Sequence, residues 1–113
     1  MSLTVYLYEN CCDACGRKDR VHRGNVTHNL VPMAVEADIY KPLWRPDEVG
    51  ITKASEVLAA LEKGYADIRA RPEHYKKFQP PNGWGSYEGF VIFLAHYMAG
   101  CNEHPNAIVE ADR

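Results

Sequence analysis

Cys11, Cys12 and Cys15 lie within five positions of the stretch ENCCDACGRKDRVH and hold three of the chain's four thiols. Two thiolates separated by two residues bite one tetrahedral Zn²⁺ from the same side of a tight turn. Gly16, directly after the second thiol, can take the positive φ that lets backbone N–H groups point at the sulfurs. Cys12 and Cys15 therefore read as half of a zinc knuckle, and two more ligands must complete it. Cys11, His22, His28, His96, Cys101 and His104 are the candidates. The preferred quartet is Cys12, Cys15, His28 and Cys101 around one structural Zn²⁺, with His22 as the substitute. Cys11 is set aside because one turn rarely aims adjacent side chains at the same ion. Against the metal stand a Cys101 that is simply a small buried hydrophobe and a His22 solvated on its strand. A thioredoxin-like redox pair would need the C-x-x-C to open a helix; Gly16 and the charges after it predict a turn instead.

The loop beyond the cysteines carries Arg17, Lys18, Arg20 and Arg23, a set suited to phosphate contact. The formal net charge is −2, so no global field draws the chain to nucleic acid or acidic membrane, and the bland alternative is a solvated hairpin tip. A second constellation is spread over three loops: Thr27, His28 and Asn29; Trp44 and Arg45; Asn82, Trp84, Ser86, Tyr87 and Glu88. It predicts a surface on which an aromatic ring stacks against a planar ligand while Arg45 holds an anion. The competing expectation is a loop core, with Trp44 plugging the helix layer and Arg45 paired to Glu88. A catalytic alternative centres a metal-dependent enzyme on His28, oriented by Asn29 and faced by Ser86 or Glu88. No nucleophile elbow, phosphate-cradling glycine loop, HExxH or paired-carboxylate motif supports it.

These residues need a frame. At 113 residues the chain fits one domain, and 46% hydrophobic with 25% charged residues is ordinary for a globular one. Leu3, Val5 and Leu7 alternate with Thr4, Tyr6 and Tyr8, the period of a strand with one aliphatic and one hydroxylated face. The segment from Arg20 returns as an antiparallel strand. Leu30, Met33, Ala34 and Ala37 have helical spacing, with Asn29 as cap so that Pro32 falls in the first turn. Residues 40–50, with two prolines, predict an irregular connector presenting Trp44 and Arg45. Ala54, Val57, Leu58, Leu61, Tyr65 and Ile68 stripe a helix over 52–70, capped by Thr52 and mildly weakened by Gly64. A short helix opens at Pro72, and another runs from about Tyr87 to Ala99 with Gly100 as terminator. The expected fold is α+β: a small antiparallel sheet built from both ends of the chain, packed against three to four helices. Its parts are a hairpin at 1–25, a helical body at 26–101 and a closing strand at 106–111.

The segments GNVTHNLVPMAVEADIYKPLWRP and NGWGSYEGFVIFLAHYMAGCNEHPNAIVEADR carry a further signal. They resemble a family of small uncharacterised bacterial and bacteriophage proteins with the pattern N-[IV]-T-H-N-L, L-W-R-P and N-G-W-G-x-Y-E. Pro32 departs from the helix-friendly residue of that pattern. The resemblance implies a bacterial or phage setting and no particular activity, and a C-x-x-C-G element present in only some relatives would be an optional brace. The N-terminal residues have neither the basic nor the apolar region of a secretion signal, and no apolar stretch approaches a membrane span. The expectation is a cytoplasmic protein with reduced thiols and no membrane partner. The expected function is non-catalytic binding of a protein or a small anionic ligand through the aromatic and arginine loops. The alternatives are a zinc-ribbon-like nucleic-acid module and the enzyme centred on His28.

Overall fold

In the computed structural model, residues 2–12, 14–81 and 83–113 are described. Strand β1 (Ser2–Glu9) is the centre of a three-stranded antiparallel sheet of order β2-β1-β3, with β2 (Asp19–Thr27) and β3 (Ile108–Asp112) at its edges. The alternation in β1 decides its faces. Leu3, Val5 and Leu7 have no exposed surface and look into the core, while Thr4, Tyr6 and Tyr8 look out and stay half-exposed. The fold is α+β, with both terminal segments in one sheet as the sequence predicts.

Among the described residues five α-helices and two short 3₁₀ turns build the layer beneath the sheet. The long pair, α3 (Ala54–Ala70) and α5 (Tyr87–Glu103), pack on one another, and α5 lies under β2. Tyr87 Oη donates to the Ile68 carbonyl at 2.8 Å and pins the start of α5 to the end of α3. Helix α4 (Pro72–Lys76) opens at its proline as expected.

Three local expectations are corrected. Thr27, not Asn29, caps the turn before α1 (Val31–Glu36): its hydroxyl accepts from the Asn29 N–H at 3.3 Å, and a 3₁₀ turn over His28–Leu30 intervenes. The connector is not irregular; it forms α2 (Tyr40–Trp44) and a 3₁₀ turn over Pro46–Val49. Nor does α5 stop at Gly100. It runs to Glu103 and ends ahead of Pro105, which disfavours helical backbone at His104. Gly100 is there for space, since a Cβ would meet His22 Nδ1 at 3.0 Å.

Gly64 has the same role more severely. A Cβ there would overlap Ile39 Cγ2 and stand 2.7 Å from the Ala37 carbonyl oxygen. Gly64→Ala gains about 1 kcal/mol of helix propensity, but overpacking against fixed backbone costs roughly 1–3 kcal/mol. A lower denaturant midpoint is the expected result; a higher one would mean that α1 and α3 separate freely.

Candidate functional site

The cysteine turn is ordered by its own backbone. Gly16 N–H donates to the Cys12 carbonyl at 2.8 Å, Cys12 N–H donates to the Arg17 carbonyl at 2.8 Å, and Gly16 takes φ +72°. The Cys15 thiol and the N–H groups of Cys15 and Ala14 donate to the Cys12 sulfur and hold its pKa below the usual thiol range. All four cysteines are free thiols: Cys11 and Cys15 exposed, Cys12 half-buried, Cys101 buried. The structure does not gather the expected quartet. His28 follows β2 at the end opposite the turn, about 25–30 Å away along a nine-residue strand. Cys101 sits in the core on α5, where burial pushes its thiol up to about 12. Among the described residues no three His, Cys, Asp or Glu side chains come together to hold one ion.

His22 faces inward rather than into solvent. Its ring stacks on Tyr97 at 5.7 Å, and its Nε2 is buried with no hydrogen-bond partner among the described residues. It lines a groove of ≈ 250 Å³ between β2 and α5 together with Arg23, Asn25 and His96. Burial first, then the proximity of His96 and His104, lowers its pKa from 6.5. Below about pH 6.5 the unfolded chain takes a proton that folded His22 resists, so the unfolded state binds more protons and stability falls as pH falls. Between pH 7.5 and 5 the thermal midpoint of the native protein should therefore drop more than that of His22→Gln. Equal drops would remove His22 as the cause.

The loop constellation divides into three separate contacts. Thr27, Asn29 and Trp84 meet: Asn29 Nδ2 donates to the Trp84 carbonyl at 3.2 Å, and Gly85 lies against Thr27. Trp84 is 71% exposed between two glycines of positive φ. Trp44 is 2% exposed and stacks on Tyr40, whose hydroxyl accepts from Arg45 Nε at 3.1 Å. Arg45 also pairs with Glu48 at 3.1 Å, while Glu88 lies 3.8 Å from Lys76. The expected Arg45–Glu88 pair is thus replaced by one pair within the connector and one between α4 and α5. Tyr87 belongs to the α3–α5 junction, and Asn82 lies outside the described residues. For the catalytic alternative, Ser86 Oγ caps α5 by accepting from Gly89 N–H at 3.0 Å, and His28 Nε2 is buried beside Trp44.

The helices leave the outer sheet face uncovered, and here the basic residues acquire a setting. Tyr6 and Tyr8 lie side by side on the central strand, ring centroids 5.8 Å apart and planes 24° apart. Across from them on β2 stand Arg23, opposite Tyr6, and Arg20, opposite Tyr8. Arg20 and Arg23 are three apart, a spacing that puts residues on opposite faces of a regular strand. A bulge between Leu7 and Tyr8 absorbs Val21 and returns both arginines to the tyrosine side. Both are exposed, and neither has a carboxylate within ion-pair distance among the described residues. Lys18 lies 4.2 Å over the Tyr8 ring and pairs with Glu110 at 2.9 Å. Arg17 instead pairs with Asp19 at 3.5 Å. Tyr6, Tyr8, Lys18, Glu110 and Asp112 line a shallow concavity of ≈ 390 Å³ on this face. The two tyrosines were legible only as the hydroxylated side of a strand; their alternation next to an arginine-bearing return strand was the available signal.

Among the described residues no helix is long and apolar enough to cross a membrane. No family model, curated protein or solved structure matches the chain.

Proposed function

We propose that this protein is a non-catalytic binding module that takes single-stranded nucleic acid on the uncovered face of its sheet. The observation that carries the reading is the Tyr6–Tyr8 pair with two arginines across from it that have no carboxylate partner among the described residues. Aromatic rings at alternate positions of a central strand give successive bases a stacking platform. Cations along one side track the phosphates. On the other side Glu110 and Asp112 offer acceptors to exocyclic amino groups. Lys18 must leave Tyr8 for a phosphate, an exchange that costs little between exposed partners. A cytoplasmic, bacterial or phage setting belongs to the same proposal, and reduced thiols suit it.

Fluorescence anisotropy with a labelled oligonucleotide, read against ionic strength, tests the reading. With Lys18, Arg20 and Arg23 each meeting a phosphate, log K should fall against log salt with a slope of about −2, at about −0.7 per contact. Arg20→Glu with Arg23→Glu should flatten that slope and abolish binding at moderate salt. Binding that survives the double reversal with an unchanged slope would overturn the proposal.

Trp84, raised on a loop of positive-φ glycines and 71% exposed, favours a second reading in which that loop contacts a protein partner. Retention of a partner by the native chain and its loss in Trp84→Ala would decide for it, provided the oligonucleotide affinity stays unchanged.

A further inference from the structure

The geometry points to a zinc site shared between two copies of this chain, in which Cys12 and Cys15 of each hairpin tip supply the four thiolates of one tetrahedral ion. The turn already has the form of a two-ligand arm. Its backbone is closed by the two 2.8 Å hydrogen bonds flanking Cys12, and Gly16 holds the reversal at φ +72°. What it lacks is the other half. The described residues of its own chain offer no third ligand near it, because the strand length carries His28 away and the core keeps Cys101.

The missing half is also the half that a second copy presents. Zn²⁺ in a closed structural site takes four protein ligands, and thiolates are its preferred soft donors. Two identical C-x-x-C turns related by a two-fold axis meet that requirement with no other residue type, an isologous contact that closes on itself. Access is open: of the described residues from Asn10 to Lys18, all are exposed except the half-buried Cys12. Charge fits as well. Each thiol gives its proton to solvent on binding, so four thiolates with Zn²⁺ carry a net 2−, which the exposed tip leaves open to solvent and counter-ions. The zinc site uses no residue of the tyrosine face. It is therefore independent of the nucleic-acid reading and would make that binding bivalent.

The test is native mass spectrometry with light scattering on untagged, fully reduced protein titrated with zinc sulfate. The expected result is conversion of the 12.8 kDa chain to a species of twice that mass holding one zinc per two chains, reversed by excess chelator. Cobalt in place of zinc should give the thiolate charge-transfer and tetrahedral ligand-field bands of a four-sulfur site. Cys12→Ser and Cys15→Ser should each keep the protein monomeric. Cys11→Ser, His28→Gln and Cys101→Ala should still dimerise. One zinc per single chain, no zinc taken up, or a dimer that survives Cys15→Ser would each overturn the proposal.

Discussion

Trp44→Ala should destabilise the protein by about 3–5 kcal/mol, the range for removing a buried tryptophan. At 0.05–0.15 kcal/mol per residue a chain of this size has roughly 6–17 kcal/mol in all, so the variant should lose between about a fifth and four-fifths of its stability. The side chain is 2% exposed and stacks on Tyr40 with planes 20° apart, and the His28 ring lies 6.3 Å away. Its carbonyl accepts from Arg113 at 2.9 Å, so the end of the chain is anchored at the same corner. Trp44→Phe should behave quite differently. The indole Nε1 is buried with no partner among the described residues, and deleting an unsatisfied donor recovers about 1–3 kcal/mol. That offsets part of the lost packing. Chemical denaturation should place the Phe variant close to the native midpoint and the Ala variant far below it. An Ala variant of native stability would return Trp44 to the list of recognition residues.

The second large effect is expected at the tyrosines. Base stacking on an aromatic side chain contributes about 1–3 kcal/mol by substitution. Tyr6→Thr and Tyr8→Thr should each therefore weaken oligonucleotide binding by about 5- to 150-fold. Threonine, β-branched, is favoured in strands as tyrosine is, and these rings lie half-exposed on the outer face, so the fold should tolerate the change. Tyr6→Phe separates stacking from hydrogen bonding. A phenyl ring has the same π-face without the hydroxyl, so affinity should be retained if stacking carries the contact. Full loss in Tyr6→Phe would assign the recognition to the hydroxyl. Full retention in Tyr6→Thr would remove the sheet face from the site altogether.

How far the sequence carries depends on whether the information is local. The period of β1 assigned Leu3, Val5 and Leu7 to the core, and the helical spacing of Leu30, Met33, Ala34 and Ala37 assigned all four to buried positions, though the cap residue was misplaced. Such patterns are written within a few residues, because one face of an element must be apolar wherever that element docks. The glycines are the opposite case. Gly64 and Gly100 appeared as a weak point and a terminator, yet their roles come from Ile39, Ala37 and His22, residues distant in the chain.

The candidate sites follow the same division. The α+β class, the apolar faces and the C-x-x-C-G turn can be read from the chain alone, since alternation, helical spacing and turn chemistry are all local. Packing between distant segments makes Trp44 core, keeps His28 and Cys101 apart from Cys12 and Cys15, and puts Arg20 and Arg23 on the face of Tyr6 and Tyr8. Each of those facts turns on how distant segments meet. One extra residue at Val21 reverses the facing of an arginine, and a nine-residue strand separates two groups that composition alone would place together.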